Sequence, residues 1–263
     1  MEANRIIQML QLPEKLAPVL MMSAIIVVWE LVCRIFLIPE FILPAPSAIM
    51  GAAADSPITH WLVNISSTLL VAIAGYLAAI IVGIPLAVML ALSPLLSRTV
   101  FPILIVIHST PIVAVAPIIV VTLGVGVLPR IVITFLISFF PIIISTATGI
   151  LQTPEELLEM SRSLKAPRIR EIFQIRLPSA VPHIFSGLKV SITLSVIGAV
   201  VAEFVASENG LGYAILFATS SFKVSTAFAN LIALVILSLL LFRIVSAVQS
   251  LFFDWSLTSQ KKA

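Results

Sequence analysis

The charged side chains of this sequence concentrate in one segment, residues 152–182. The chain has 15 basic and 12 acidic residues, and nine of these lie in the segment. They are Glu155, Glu156, Glu159, Arg162, Lys165, Arg168, Arg170, Glu171 and Arg176. The run Thr153-Pro154-Glu155-Glu156 predicts the start of a helix, with Thr153 at N-cap, Pro154 at N1 and Glu156 closing a capping box.

The predicted helix continues with an apolar stripe at helical spacing. The stripe consists of Leu157, Leu158, Ser161 and Leu164. Isolated helices shorter than about 12–15 residues are marginal in water, so this helix needs a surface on which to dock. Pro167 opens a second short helix that should stop before Pro178, and Lys165-Ala166 joins the two helices. We call the two helices and this joint the elbow. The alternative is an ordinary charged loop that only keeps the protein oriented.

The sequence lacks the residue patterns of an energy source of its own. No Gly-x-x-x-x-Gly-Lys-Ser/Thr phosphate loop is present, so ATP cannot be bound in that way. The centres of the predicted spans contain no Asp, Glu, Lys or Arg, which disfavours an ion relay. His-Glu-x-x-His and Gly-x-Ser-x-Gly are also absent, so an intramembrane enzyme is not expected. We predict a transport protein, not an enzyme, without a cofactor or metal site in this chain.

A few polar side chains inside the apolar stretches are candidates for a transport path. His108-Ser109-Thr110-Pro111 interrupts the third stretch and carries a titratable ring. A hydrogen-bonded packing role is the alternative for His108. The other candidates are Ser145, Ser191, Ser195 and Glu203. The serine and threonine hydroxyls could equally bond backbone carbonyls in their own helices.

The elements that carry these residues are predicted to be membrane-spanning helices. Hydrophobic residues make up 60% of the chain and charged residues 10%, against about 45–50% and about 25% in soluble domains. Six stretches can hold a span of about 20 residues. They lie at about 16–38, 65–92, 99–129, 131–154, 184–205 and 224–242. The stretches are apolar on all faces, so the fold class is an all-α polytopic membrane protein, not a barrel. Pro102, Pro111 and Pro117 should kink the third span.

The distribution of basic residues predicts the orientation of the chain. Most of them fall on one side of the six-span topology, while Arg34, Arg130 and Lys223 fall on the other. By the positive-inside rule both termini and the segment 152–182 are cytoplasmic. Residues 1–15 read as a cytoplasmic amphipathic segment, 16–252 as the transmembrane domain and 253–263 as a cytoplasmic tail. The basic excess is explained by the membrane, so no nucleic-acid partner is expected. Cys33 is the only cysteine, which excludes an internal disulfide.

The segment 152–182 resembles the EAA loop of binding-protein-dependent ABC importer permeases. That pattern reads Glu-Ala-Ala, three residues, Gly, nine residues, Ile-x-Leu-Pro. Glu159 and Ile175-Arg176-Leu177-Pro178 fall in register, while Met160 and Ser161 replace the two alanines and Lys165 replaces the glycine. Further segments resemble the nitrate/sulfonate/taurine branch of these importers. They are Leu43-Pro44-Ala45-Pro46-Ser47, Phe140-Pro141, Pro154 to Glu159, Val201-Ala202-Glu203-Phe204 and Gly210-Leu211-Gly212-Tyr213.

The resemblance implies a permease subunit of a type I ABC importer in a bacterial inner membrane. Two permease copies, expected to be identical, would pair. Two ATPase subunits holding ATP and magnesium would dock on the EAA loops, and an external binding protein would deliver a small solute. The implied coupling residues comprise Glu155, Glu156, Glu159, Arg162, Lys165, Ala166, Pro167, Arg168, Leu177 and Pro178. The alternative is a secondary transporter or channel of similar topology.

Two residues carry expectations that depend on local conformation. Lys165 stands where the family has glycine, and a left-handed lysine would be strained. We therefore expect Pro167 to make the turn without a left-handed residue. Glu203 should lie at a helix end or in a water-accessible vestibule, because a carboxylate in hydrocarbon costs about 2.5–3.5 kcal/mol.

Overall fold

The structure is a computed structural model that describes residues 16–258. Its helices are α1 (Ala17–Ile35), α2 (Pro46–Asp55), α3 (Ile58–Leu92), α4 (Pro94–Ser109), α5 (Ile112–Leu123), α6 (Val127–Leu151), α7 (Glu155–Ser163), α8 (Arg168–Glu171), α9 (Leu177–Ala206), α10 (Leu211–Ser220), α11 (Val224–Phe252) and α12 (Trp255–Thr258). No strand occurs between residues 16 and 258, so the all-α prediction is confirmed. The predicted amphipathic segment 1–15 and the last five residues of the tail lie outside the described residues.

Five helices are long and apolar enough to cross a membrane: α1, α3, α6, the helix running from Arg168 through α9, and α11. A sixth span exists if α4 and α5 are taken together, but they are bent by 95°. The bend lies at Thr110-Pro111, where a kink was expected. Pro102 and Pro117 lie inside helices that continue past them, so a proline alone does not require a bend of this size. The second span begins at Ile58, seven residues before the predicted start.

The smaller of two compact units consists of Met1–Ile58 and Ile215–Asn230. Its described part is organised by Glu30 of α1. The Ser47 backbone amide donates to Glu30 Oε2 at 3.0 Å, and the Ser47 hydroxyl donates to Oε1 at 2.7 Å. Arg34 Nε donates to the same carboxylate at 2.6 Å. Glu30 therefore satisfies one free amide at the start of α2, which helps the Pro-Ala-Pro-Ser run to begin a helix there.

The larger unit consists of Thr59–Ala214 and Leu231–Ala263, and close packing of α3, α6 and α9 builds its core. Small residues permit that packing. A Cβ on Gly198 of α9 would lie 2.8 Å from Thr134 Cα of α6, and one on Gly187 would lie 2.7 Å from Ser145 Cβ. Gly75 and Gly83 of α3 face Thr134 and Ile142 of α6 in the same way.

The end of the described chain folds back onto the start of α9. The Phe253 and Phe185 rings lie 5.2 Å apart, and Gln249 Nε2 donates to Ser256 Oγ at 2.9 Å. Ser256 is fully buried. Phe253 and Ser256, which were predicted to belong to a cytoplasmic tail, are therefore part of the packed structure.

Candidate functional site

The first helix of the elbow, α7, begins one residue later than predicted and without the predicted capping box. Its N-cap is Pro154, and no side chain accepts a hydrogen bond from its first amides. Thr153 instead donates its hydroxyl to the Ile150 carbonyl at 2.8 Å, at the end of α6. Thr153 is buried, and its hydroxyl serves the preceding helix. Glu155 and Glu156 still lie in the first turn, where the helix dipole favours acidic residues.

The elbow turn contradicts our expectation for Lys165, because this residue has a left-handed φ of 50°. The Lys165 amide donates to the Arg162 carbonyl at 2.9 Å, and the Ala166 amide donates to the Ser161 carbonyl at 3.1 Å. This pair of bonds forms a Schellman motif, which calls for a left-handed residue at the position of Lys165. Pro167 then caps α8. The turn thus has the geometry of a glycine cap with lysine in place of glycine.

The predicted second helix of the elbow does not stop before Pro178. A π-helical segment, Ile172–Arg176, follows α8 and leads directly into α9. Pro178 lies in the first turn of α9. Proline lacks an amide hydrogen, and its ring clashes with the carbonyl of the preceding helical turn. A π-helical segment has one extra residue per turn, and this extra residue makes room for the ring. Arg176 Nε donates to Glu171 Oε1 at 2.8 Å across this segment. The second arm of the elbow is therefore the first part of a span.

The surface of the elbow combines exposed charges with exposed apolar side chains. Glu155, Glu156, Glu159, Arg162, Lys165 and Arg168 are exposed, whereas Ala166, Leu177 and Pro178 are half-buried. Of the predicted stripe, Leu158 is buried and Leu157 is exposed. Leu164, Ile169 and Phe173 are exposed by 74%, 68% and 65%. Exposed apolar side chains amid a charged, water-facing surface indicate an interaction surface.

The bend between α4 and α5 exposes the first three path candidates. His108, Ser109 and Thr110 are all exposed. The His108 ring stacks on Phe140 of α6 at a centroid distance of 4.0 Å. Thr110 donates its hydroxyl to the Val106 carbonyl at 2.9 Å. Non-helical backbone at membrane depth is tolerated only where protein covers it or where it lines a water-filled cavity. This bend therefore needs a cover or a cavity.

The candidate serines lie instead at the interface of α6 and α9. Ser191 is buried and donates to the Ser138 carbonyl of α6 at 2.6 Å, while Ser195 donates to Ile192 of its own helix at 2.8 Å. Ser145 is half-buried and packs against Gly187. In the single chain, Ser191 bonds the neighbouring helix and Ser195 bonds its own. The structure does not bring them together with His108, Ser109 and Thr110 into one exposed surface.

Glu203 lies in the last turn of α9 and is 1% exposed, so it does not line a vestibule within the single chain. Thr68 Oγ1 of α3 donates to Glu203 Oε1, and the Gly212 amide donates to Oε2, each at 2.7 Å. The Leu211 amide donates to Thr68 Oγ1 at 2.9 Å. The carboxylate thus satisfies amides at the start of α10 and joins α10 to α3 and α9.

Sequence reasoning missed three polar residues around Glu203. Asn64 Oδ1 accepts the Gly210 amide at 2.9 Å, Thr68 bridges Leu211 and Glu203, and Arg130 lies nearby at the start of α6. The only sequence signal was the Gly210-Leu211-Gly212 run. A Cβ on Gly210 would overlap the Glu203 carboxylate, and Gly210 has a φ of 119°. Among the described residues, no group of three or more His, Cys, Asp and Glu side chains could hold a metal ion.

Residues 79–253 match the family described as binding-protein-dependent transport system inner membrane component. The match covers the bend, the elbow and Glu203, but not Asn64 and Thr68. The chain belongs to this family. It is a permease subunit of an ABC importer, and the predicted transport role is confirmed.

Relatives along most of its length support the same conclusion. The permease is 32% identical over 253 residues to the riboflavin transport system permease protein RibX of Chloroflexus aurantiacus, covering 95% of this chain and 94% of that one. It is 31% identical over 227 residues to a probable ABC transporter permease protein of Haemophilus influenzae, covering 86% and 92%. The nitrate import permease of Synechocystis and the taurine permease of Escherichia coli are also relatives. These matches favour the importer over a secondary transporter or channel.

The fold of the permease is also that of a solved importer. An inward-facing structure of the MetNI methionine ABC transporter contains a chain that matches 73% of this permease and 99% of its own length, with a TM-score of 0.63 and 23% identity. That identity supports the fold alone. The predicted importer-permease fold is thereby confirmed.

Proposed function

We propose that two copies of this permease pair to form the path for a small solute. Two ATPase subunits, which hold ATP and magnesium, dock on the two elbows, and an external binding protein delivers the solute. The permease lies in a bacterial inner membrane with both termini and the elbow in the cytoplasm. Relatives named for riboflavin, nitrate and taurine support a small solute as the cargo and do not select one.

The observation that carries the coupling role is the continuity of the elbow with α9. The exposed surface formed by Glu159, Leu164 and Ile169 connects through α8 and the π-helical segment to a helix that ends at Ala206. A displacement of the elbow by a docked ATPase is therefore applied directly to a span. ATP binding closes the ATPases and favours one arrangement of the spans, and hydrolysis restores the other, because a ligand shifts an equilibrium only through its preference for one state.

The path is proposed to run past the bend between α4 and α5. His108, Ser109 and Thr110 are exposed there, and the interrupted backbone needs a protein cover or water. A second copy supplies the cover, and the gap between the copies supplies the water. The buried hydroxyls of Ser191 and Ser195 are not included, because each already bonds a backbone carbonyl.

The test is solute-stimulated ATP hydrolysis by the assembled transporter in vesicles. Glu159→Lys reverses a charge on the docking surface and should abolish stimulation, or weaken ATPase binding at least about tenfold, as loss of a charged hydrogen bond would. Asp55→Lys is the matched control, since Asp55 is exposed in α2 and outside the elbow. A Glu159→Lys transporter that assembles and couples like the control would show that residues 152–182 are not the coupling surface.

A further inference from the structure

A second polar site lies at the end of the larger unit opposite the elbow. α6 begins there and ends at the elbow, while α9 begins at the elbow and ends there. A cleft of about 540 Å³ opens at this end. It is lined by Ser67, Val120, Val125, Gly126, Arg130, Val205, Ala206, Ser207, Glu208 and Asn209. Its volume is that of a site for a small ligand or a side chain.

Arg130 is held in this cleft by neutral partners. Its Nε donates to the Gly126 carbonyl at 3.1 Å, and its Nη1 donates to Ser207 Oγ at 2.9 Å and Ser67 Oγ at 3.4 Å. These contacts fix the plane of the guanidinium without neutralising it. Nη2 makes no hydrogen bond to another described residue.

No carboxylate within the described part of the chain forms an ion pair with Arg130. The buried acid nearby, Glu203, already accepts hydrogen bonds from Thr68 and Gly212. Glu208 lines the cleft but is exposed and more than 4 Å from the guanidinium nitrogens. Glu203 attracts the guanidinium through space, but no carboxylate oxygen is hydrogen-bonded to it, so an anion in the cleft would complete its partners.

We propose that the Arg130 cleft binds an oxyanion, a carboxylate or a sulfonate, when the binding protein engages the permease. The two free N–H groups of Nη2, held in place by the other contacts of the guanidinium, can donate to the oxygens of such a group and form a strong, charge-assisted contact. Two sources share this chemistry: an acidic side chain of the binding protein, or the solute itself at handover. The proposal rests on the proposed function, which places this end of the unit outside the cytoplasm.

The test uses the transporter assembled with its ATPase in lipid nanodiscs and the binding protein encoded beside the permease gene. Affinity for empty and solute-loaded binding protein is measured for the native permease, Arg130→Gln and Arg130→Lys. Lys223→Gln is the matched control, because Lys223 is exposed and its loss removes one positive charge outside the cleft. Competition by acetate and methanesulfonate is compared with chloride at equal ionic strength.

An acidic side chain of the binding protein as the source predicts that Arg130→Gln weakens both the empty and the loaded form about tenfold or more. The solute as the source predicts that only the loaded form is weakened. In both cases acetate or methanesulfonate should compete with native permease more strongly than chloride, and not with Arg130→Gln. Arg130→Lys keeps the charge but loses the contacts to Gly126, Ser67 and Ser207 that hold the donor in place, so it should bind severalfold more weakly than the native permease.

Affinities for both variants equal to that of Lys223→Gln would overturn the proposal. Arg130→Lys decides the question if Arg130→Gln does not assemble, since native affinity with lysine would show that the fixed guanidinium is not used. A native transporter that shows no stimulation by the binding protein would instead refute the proposed function. The two failures are therefore distinguishable.

Discussion

At the scale of single residues, Lys165 keeps the backbone conformation of the family's turn although the glycine of the family pattern is replaced by lysine. The Schellman bonds at Lys165 and Ala166 are those of a helix ending in glycine. A left-handed lysine is strained because its Cβ crowds the neighbouring carbonyl. The elbow therefore keeps its turn at a cost in local stability. The same conformation occurs at Leu37 and Phe222, so this chain tolerates side chains at such caps.

Lys165→Gly should therefore stabilise the end of α7 by about 1 kcal/mol, by relieving the left-handed strain. Hydrogen exchange of the Lys165 and Ala166 amides, which make the Schellman bonds, should slow about fivefold in the assembled transporter. Lys165→Ala is the control, because alanine removes the charge and keeps the Cβ. Equal exchange in the glycine and alanine variants would mean that the strain is absent.

Glu203 has a structural role that local sequence could not reveal, since its partner Thr68 is 135 residues away. We expect Glu203→Gln to destabilise the assembled permease by about 1–3 kcal/mol. The amide can accept from only one of Thr68 and Gly212, and its NH2 group faces the other. Thermal unfolding of the complex measures the effect. Asp254→Asn, at an exposed position, serves as the control. Equal melting temperatures of the two variants would contradict a stabilising role of the Glu203 hydrogen bonds.

At the scale of elements, the sequence predicted which segments are helical better than how they join. Apolar length is a property of a segment itself, so the spans, α2 and the short helices of the elbow could be anticipated. Their junctions depend on tertiary partners. Thr153 turned to the Ile150 carbonyl instead of capping α7, and Pro178 continued a helix that it was expected to end. The 95° angle between α4 and α5 could not be predicted from Pro111 alone.

The π-helical segment should depend on Pro178. Pro178→Ala restores an amide and removes the ring clash, which allows Ile172–Arg176 to return to α-helical hydrogen bonding. The elbow would then rotate by roughly 100° relative to α9, one residue of an α-helix. Solute-stimulated ATP hydrolysis should fall severalfold while the complex still assembles. Pro182→Ala is the control, because Pro182 lies inside α9 beyond the segment. Matching activities for the two variants would rule out this role of the segment.

At the scale of the whole molecule, the orientation in the membrane is the prediction on which the proposed mechanism depends. In a Cys33→Ala background, a cysteine at Glu155 should react with a membrane-impermeant maleimide only from the cytoplasmic side. A cysteine at Asp55 should react only from the other side, because the basic residues fix the cytoplasmic face. Both side chains are exposed, so access from each side can be compared directly. Reversed labelling would reject the assignment.

The larger unit is assembled from two separated stretches of the chain, Thr59–Ala214 and Leu231–Ala263. Its second stretch contains Phe253, which packs on Phe185, and the Gln249–Ser256 pair. During biosynthesis this stretch is made after α9. Until it has entered the bilayer, the beginning of α9 lacks that aromatic contact. A chain without α11 and α12 therefore has an incomplete core at the start of α9.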